Sequence, residues 1–176
     1  EMKGIIEFKD GANLISSKYV ERDVLNGDQN AYGFEVMARK NSGKLTGWLS
    51  YAYSRSIVQV DGDNVWQQIN DGNPFPANYD KPHSFNGVLN YKVNRRLSFS
   101  LNAVYSTGRP ITYPLAIYYV NGIEQAYYSE RNSYRIPDYF RLDLSINLEG
   151  NLLAKKLAHS YFMLNVYNMT GRKNVY

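Results

Sequence analysis

The sequence predicts an all-β protein: an antiparallel, up-and-down transmembrane β-barrel present in part, as about six or seven strands of a larger barrel wall. Three observations predict it. Apolar and polar residues alternate with period two along much of the chain, as they do in strands whose two faces meet different surroundings. Short turns and long loops alternate between the strands. Tyrosines (Tyr32, Tyr53, Tyr91, Tyr105, Tyr139) sit near strand ends, where an aromatic girdle belongs.

The elements follow in order. A first strand is expected over 2–9, around Ile5, Ile6 and Phe8. In 31–40, Tyr32, Phe34, Val36 and Ala38 form one face, and Gly33, Glu35, Met37 and Arg39 the other. Over 45–57, Leu45, Leu49, Tyr51, Tyr53 and Ile57 oppose Thr46, Trp48, Ser50, Ala52, Ser54 and Ser56. Over 84–93, Phe85, Leu89, Tyr91 and Val93 alternate with Ser84, Asn86, Val88, Asn90 and Lys92. The strands 97–106 and 140–149 are cleaner, with Phe99 and Leu101 in one and Leu142 and Leu144 in the other on the apolar face. A last strand is expected over 160–168, with Phe162, Leu164 and Val166 on its apolar face. Helix is confined to a possible short turn at 152–158.

Asn41-Ser42-Gly43 and Asn94-Arg95-Arg96 make tight turns, whereas 10–30, 58–82 and 107–138 are long loops and 150–159 is intermediate. Strands of about 9–11 residues cross a bilayer when tilted, and these runs have that length. Charge sorts the same way. The short turns carry Arg39, Lys40, Lys44, Lys92, Arg95, Arg96, Lys155 and Lys156 against Glu149, while the loops 10–30 and 58–82 are acidic on balance. A two-ended charge pattern suits a molecule standing in a membrane. A soluble sandwich gives the same alternation, because a solvent-facing polar row and a lumen-facing one look alike in sequence.

Composition narrows the function classes. The 176 residues carry a net charge of +4 and are 44% hydrophobic, 20% charged and 15% aromatic, with 17 Tyr. So many rings exclude a disordered chain. The absence of Cys excludes disulfide scaffolds and thiolate metal sites. No apolar run approaches the roughly 18 residues of a membrane helix, and no signal peptide is visible. The chain starts and stops without obvious ends, so a fragment of something larger is expected.

Several sequence words then resemble one family. Ala31-Tyr32-Gly33-Phe34-Glu35, followed by 43–55 (GKLTGWLSYAYSR), resembles the C-terminal barrel of TonB-dependent receptors, above all the Bacteroidetes type. Tyr79-Asp80-Lys81-Pro82-His83 resembles their strand opening, 106–114 (STGRPITYP) a loop start and 135–143 (RIPDYFRLD) a strand, and 167–174 (YNMTGRKN) is similar to their YNxxNRKN word, with Gly171 where Asn is usual. The resemblance implies that 1–176 is a C-proximal slice of a barrel of about 22 strands, without the plug domain. It implies an outer-membrane location in a Gram-negative bacterium. The implied partners are outer-membrane lipid, the protein's own plug and remaining strands, a TonB-type energiser reached through a missing N-terminal part, and a surface lipoprotein or other complex subunit.

Catalytic patterns are missing: no Gly-x-Ser-x-Gly elbow, phosphate loop or His-Glu-x-x-His is present. No enzyme activity, cofactor or metal is expected. His83 and His159 read as structural, and Asp61-Gly62-Asp63-Asn64 as a solvated acidic loop without EF-hand spacing. Arg141 and Asp143 are expected to face the lumen and to pair there. The loop 107–138 is the candidate ligand site, with Arg109, Tyr113, Tyr118, Tyr119, Tyr127, Tyr128 and Arg131. Asn121-Gly122 signals a type I′ hairpin pairing 113–120 with 123–129. Its rings give contact area at small entropic cost, or else pack the hairpin itself. No basic stripe interleaves with rings, so a nucleic-acid partner is not expected. Uptake of an unidentified solute is the function that the resemblance implies. A platform barrel without transport, and a soluble carbohydrate-binding β-sandwich, are the alternatives.

Overall fold

A computed structural model describes residues 1–9, 19–150 and 160–175. The strands are β1 (Met2–Phe8), β2 (Val24–Lys40), β3 (Leu45–Gln59), β4 (Phe75–Pro76), β5 (His83–Lys92), β6 (Leu97–Ser106), β7 (Pro110–Ile111), β8 (Pro114–Val120), β9 (Ile123–Tyr128), β10 (Tyr134–Arg135), β11 (Tyr139–Glu149) and β12 (Tyr161–Val166). Short 3-10 turns lie at Val20–Asp23, Val65–Gln67 and Asn70–Gly72. The described pairings are antiparallel, so the all-β expectation matches the structure. The helical turn expected at 152–158 lies outside the described residues.

The chain divides into two compact units. The first comprises Glu1–Gly33, Ser54–Lys81 and Arg109–Ile136. Its core is Leu25, Val58, Val60, Ile69, Phe75 and Ala77, with Ile5 of β1 packed against it. Most of these residues come from the 58–82 stretch that reads as a loop. Ser56, Val58 and Val60 are buried alternately at and just beyond the end of β3, and Phe75 and Ala77 are buried alternately in turn, but these short runs of three and two residues give no sign that they converge with Ile69. β2 starts at Val24, seven residues before its alternation becomes readable. Leu25, Gly27 and Gln29 alternate as buried positions there. Gln29 is a polar residue in an apolar row, held by hydrogen bonds from its amide to Ser56 Oγ and Tyr79 OH.

The second unit comprises Phe34–Tyr53, Pro82–Gly108 and Pro137–Tyr176. Its register lines up the predicted apolar rows. One runs Leu45, Tyr91, Phe99, Ile146, Leu164; another runs Tyr51, Phe85, Tyr105, Phe140. The opposite face carries rows such as Thr46, Asn90, Ser100, Ser145, Asn165. The two-faced alternation is therefore real. Phe99, Leu101, Leu142 and Leu144 are half-buried.

The expected partial wall of a larger transmembrane barrel is corrected. The main sheet has the order β1-β2-β3-β5-β6-β11-β12, with β4 on β3, and two further two-stranded sheets are β7–β10 and β8–β9. That order has two ends: β1 and β12 each bond a neighbour on one side among the described residues. An unclosed edge leaves a row of backbone N–H and C=O groups unpaired, which a wall in hydrocarbon does not tolerate. The end strands are also short, with 7 residues in β1 and 6 in β12, below the roughly 9–11 needed to cross a bilayer. The findings fit an open multi-sheet β-domain instead. The outer-membrane location and the partners that the resemblance implies (outer-membrane lipid, plug domain, remaining barrel strands, TonB-type energiser, surface lipoprotein) presuppose the barrel and fall with it.

Candidate functional site

The hairpin β8–β9 forms where Asn121-Gly122 predicts it. Both residues have positive φ, 52° and 78°, as the two-residue type I′ turn requires. Gly122 meets that requirement without the Cβ penalty. The turn sets the register: Val120 opposite Ile123, Tyr119 opposite Glu124, Tyr118 opposite Gln125, Ile117 opposite Ala126 and Ala116 opposite Tyr127. Directly opposed residues share a face. One face thus gathers Tyr118, Gln125 and Tyr127, with Ala116 leaving space beside Tyr127. The other carries Tyr119 with Glu124. Tyr118, Tyr119 and Tyr127 are 48%, 70% and 60% exposed.

The remaining expected site residues lie elsewhere. Tyr128 is half-buried at the base of the hairpin, opposite Pro114. Tyr113 is tilted against Tyr134, with ring centroids 5.9 Å apart. Arg109 is exposed, and its carbonyl accepts from Ile136 N–H at 3.1 Å. Arg131 is committed to the β1 end: its Nη2 donates to the carbonyls of Phe8 (2.8 Å) and Lys9 (2.9 Å), and its Nη1 lies 3.4 Å from the Glu7 carboxylate. The structure therefore brings together Tyr118 and Tyr127 from the predicted set. It adds Gln125, which the turn's register alone could have placed.

Arg141 and Asp143 pair at 3.0 Å. Asp143 also accepts from Asn102 Nδ2 at 3.1 Å and from Asn168 N–H at 2.9 Å. The Arg141 guanidinium lies 4.7 Å over the Tyr167 ring and donates to Tyr167 OH at 2.8 Å. Burial opposes its charge, but the Tyr167 hydrogen bond and Asp143 outweigh this, and its pKa lies above the ordinary value. With the sheet open, these residues face no barrel lumen.

A buried carboxylate also escaped the sequence reading. Asp80 is 2% exposed. It accepts from Ser56 N–H at 2.7 Å and pairs with Arg55 at 3.4 Å and with Arg135. This is an anchor for the 58–82 stretch. His83 likewise serves structure, its Nδ1 hydrogen-bonded to Tyr51 OH at 2.8 Å. In the acidic stretch, Asp61 Oδ1 accepts from Gln68 at 3.3 Å. Among the described residues, no group of three His, Cys, Asp or Glu is placed to hold a metal.

No protein-family model, curated protein or solved structure matches this chain. The resemblance to TonB-dependent receptors is therefore corrected: its short words find no counterpart in a whole-chain match, and the open sheet is not that family's barrel. Solute uptake as a receptor segment is withdrawn with it. Two of the words have a local meaning instead, because Asp80 of one pairs with Arg135 of another.

Proposed function

We propose that this chain is a binding domain, not an enzyme, and that its hairpin face Tyr118, Gln125, Tyr127 takes a carbohydrate. The observation that carries the reading is this row of two exposed rings and an amide on one face of a hairpin whose turn fixes their register. Tyr118 and Tyr127 are diagonal neighbours, about 7–8 Å apart by strand geometry. That spacing lets one ligand span both rings. A sugar has apolar C–H faces that pack on rings, and hydroxyls that bond Tyr O–H and the donor and acceptor of the Gln125 amide. The rest of this face is Ala116, Val120 and Ile123, without charge, which favours a neutral polyhydroxyl ligand over a charged peptide.

The test is a glycan array probed with the wild-type chain and with Tyr118→Ala/Tyr127→Ala. Binding to a neutral glycan that weakens at least about tenfold in the double variant supports the reading, since each lost stacking contact is worth about 1 kcal/mol or more. No glycan bound, or equal binding by both proteins, defeats it.

A further inference from the structure

The strand ends of the second unit frame a cleft of about 630 Å³, lined among others by Lys44, Lys92, Arg95, Arg96 and Glu149. Its volume falls in the range of small-ligand sites. Four cationic residues line it against one acidic residue. The fold forces them together. Lys92 N–H donates to the Lys44 carbonyl at 2.8 Å, continuing the Leu45–Tyr91 pairing, so two lysines stand directly opposite on neighbouring strands. Like charges in that position destabilise a sheet. Between β5 and β6, Asn94 Oδ1 accepts from both Arg96 N–H and Leu97 N–H at 2.8 Å. That side-chain bond closes the turn and leaves Arg95 and Arg96 exposed. No ion pair is formed by Lys44, Lys92, Arg95 or Arg96 among the described residues.

We propose that this cleft is a binding site for a multivalent phosphate-type oxyanion. A ligand with several oxyanion groups relieves the enforced repulsion between Lys44 and Lys92. It also offers acceptors to the Arg95 and Arg96 guanidiniums, whose planar donor forks suit phosphate oxygens. One oxyanion cannot serve cations that issue from three separate strand ends, so the ligand carries more than one. The site stands independently of the hairpin and of any carbohydrate bound there.

The experiment is titration calorimetry of the full chain with inorganic tripolyphosphate at near-physiological ionic strength, where the screening length is about 8 Å. Lys92→Gln/Arg95→Gln/Arg96→Gln is compared with a control of equal charge loss, Lys3→Gln/Lys81→Gln/Lys173→Gln, and Lys44→Gln provides a milder variant. Affinity that falls at least about tenfold in the cleft variant and stays within about twofold in the control is the expected result. Equal losses in cleft and control variants, or no tripolyphosphate binding by the wild type, would overturn the site. Thermal melts confirm that the variants fold, and should the triple variant not fold, Lys44→Gln is set against the single control Lys81→Gln: a loss at least about threefold greater in Lys44→Gln supports the site and equal losses overturn it. Vesicles of phosphatidylcholine with a minor share of phosphatidic acid identify the source. Displacement of tripolyphosphate by the vesicles assigns the site to a lipid headgroup, and failure to displace it assigns it to free phosphate compounds.

Discussion

Arg135 grips Asp80 at two places: its guanidinium donates to the buried carboxylate and, at 2.8 Å, to the main-chain carbonyl of the same residue. A side chain from β10 thereby holds the end of the 58–82 stretch that supplies most of the first unit's core. Arg55 and the Ser56 N–H complete the shell around the carboxylate.

Removing that carboxylate is expected to be severe. Asp80→Ala removes the carboxylate that both part-exposed guanidiniums share and leaves the Ser56 N–H without its acceptor, and losing hydrogen bonds to such a charged group costs about 1.5–3 kcal/mol. Chemical denaturation monitored by circular dichroism measures it. A loss below about 1 kcal/mol would show that water replaces the carboxylate without penalty.

Glycines 47 and 122 are expected to differ in cost. A Cβ at Gly47, where φ is +148°, would lie 2.0 Å from the Val88 carbonyl oxygen, a backbone atom that cannot step aside. A Cβ at Gly122, where φ is +78°, meets nothing within 4 Å. Gly47→Ala should cost about 3 kcal/mol or more through overpacking, and Gly122→Ala about 1 kcal/mol through backbone strain alone. Thermal melts of the two variants rank them, and the reverse order would contradict the close approach of β3 and β5.

Alkaline stability should depend on Tyr105. Its hydroxyl donates to Asp138 Oδ2 at 2.7 Å. That hydrogen bond, followed by burial and the Asp138 charge, raises its pKa above the ordinary value of 10.0. A raised pKa in the folded state means that the contribution is complete below the unfolded value and is lost as pH rises through the folded one. The wild type should therefore be more stable than Tyr105→Phe by a constant margin below pH about 10, a margin that shrinks at higher pH. A margin that does not vary across that range would remove the hydrogen bond from consideration.

The two hairpin faces should separate in binding. Gln125→Ala should weaken the glycan interaction, because it deletes the amide between the rings, by about 1 kcal/mol. Tyr119→Ala, on the opposite face, should leave it unchanged. Parallel titrations of both variants check this, and a larger loss from Tyr119→Ala would move the site to the Tyr119–Glu124 face.

What the sequence makes legible is what period and turn chemistry encode. The rows through Leu101 and Leu144 follow from strict alternation, and the hairpin from Asn121-Gly122. Gln29 hides the start of β2, since its partners Ser56 and Tyr79 are distant in the chain. Val58 and Val60, and Phe75 and Ala77, keep a period of two over runs too short to read, and their convergence with Ile69 is a tertiary fact only. Alternation states that a strand has two environments and leaves open what fills each, so the step from two-faced strands to a closed wall went beyond the pattern. Sheet closure depends on partners at β1 and β12, and no residue in either strand announces whether one exists. At the candidate site, counting tyrosines gave the region, whereas the useful selection among them came from register.

The turn that sets this register is also the place where the molecule can age. The Asn121 side chain precedes a glycine with open space around it, so the Gly122 amide nitrogen can attack the carboxamide carbon and expel ammonia. Water then opens the ring to aspartate or to isoaspartate, whose main chain is one methylene longer. That insertion would shift Tyr118 away from Gln125. Peptide mapping of stored protein for isoaspartate at position 121, set beside its glycan binding, would show whether shelf life is written into those two residues.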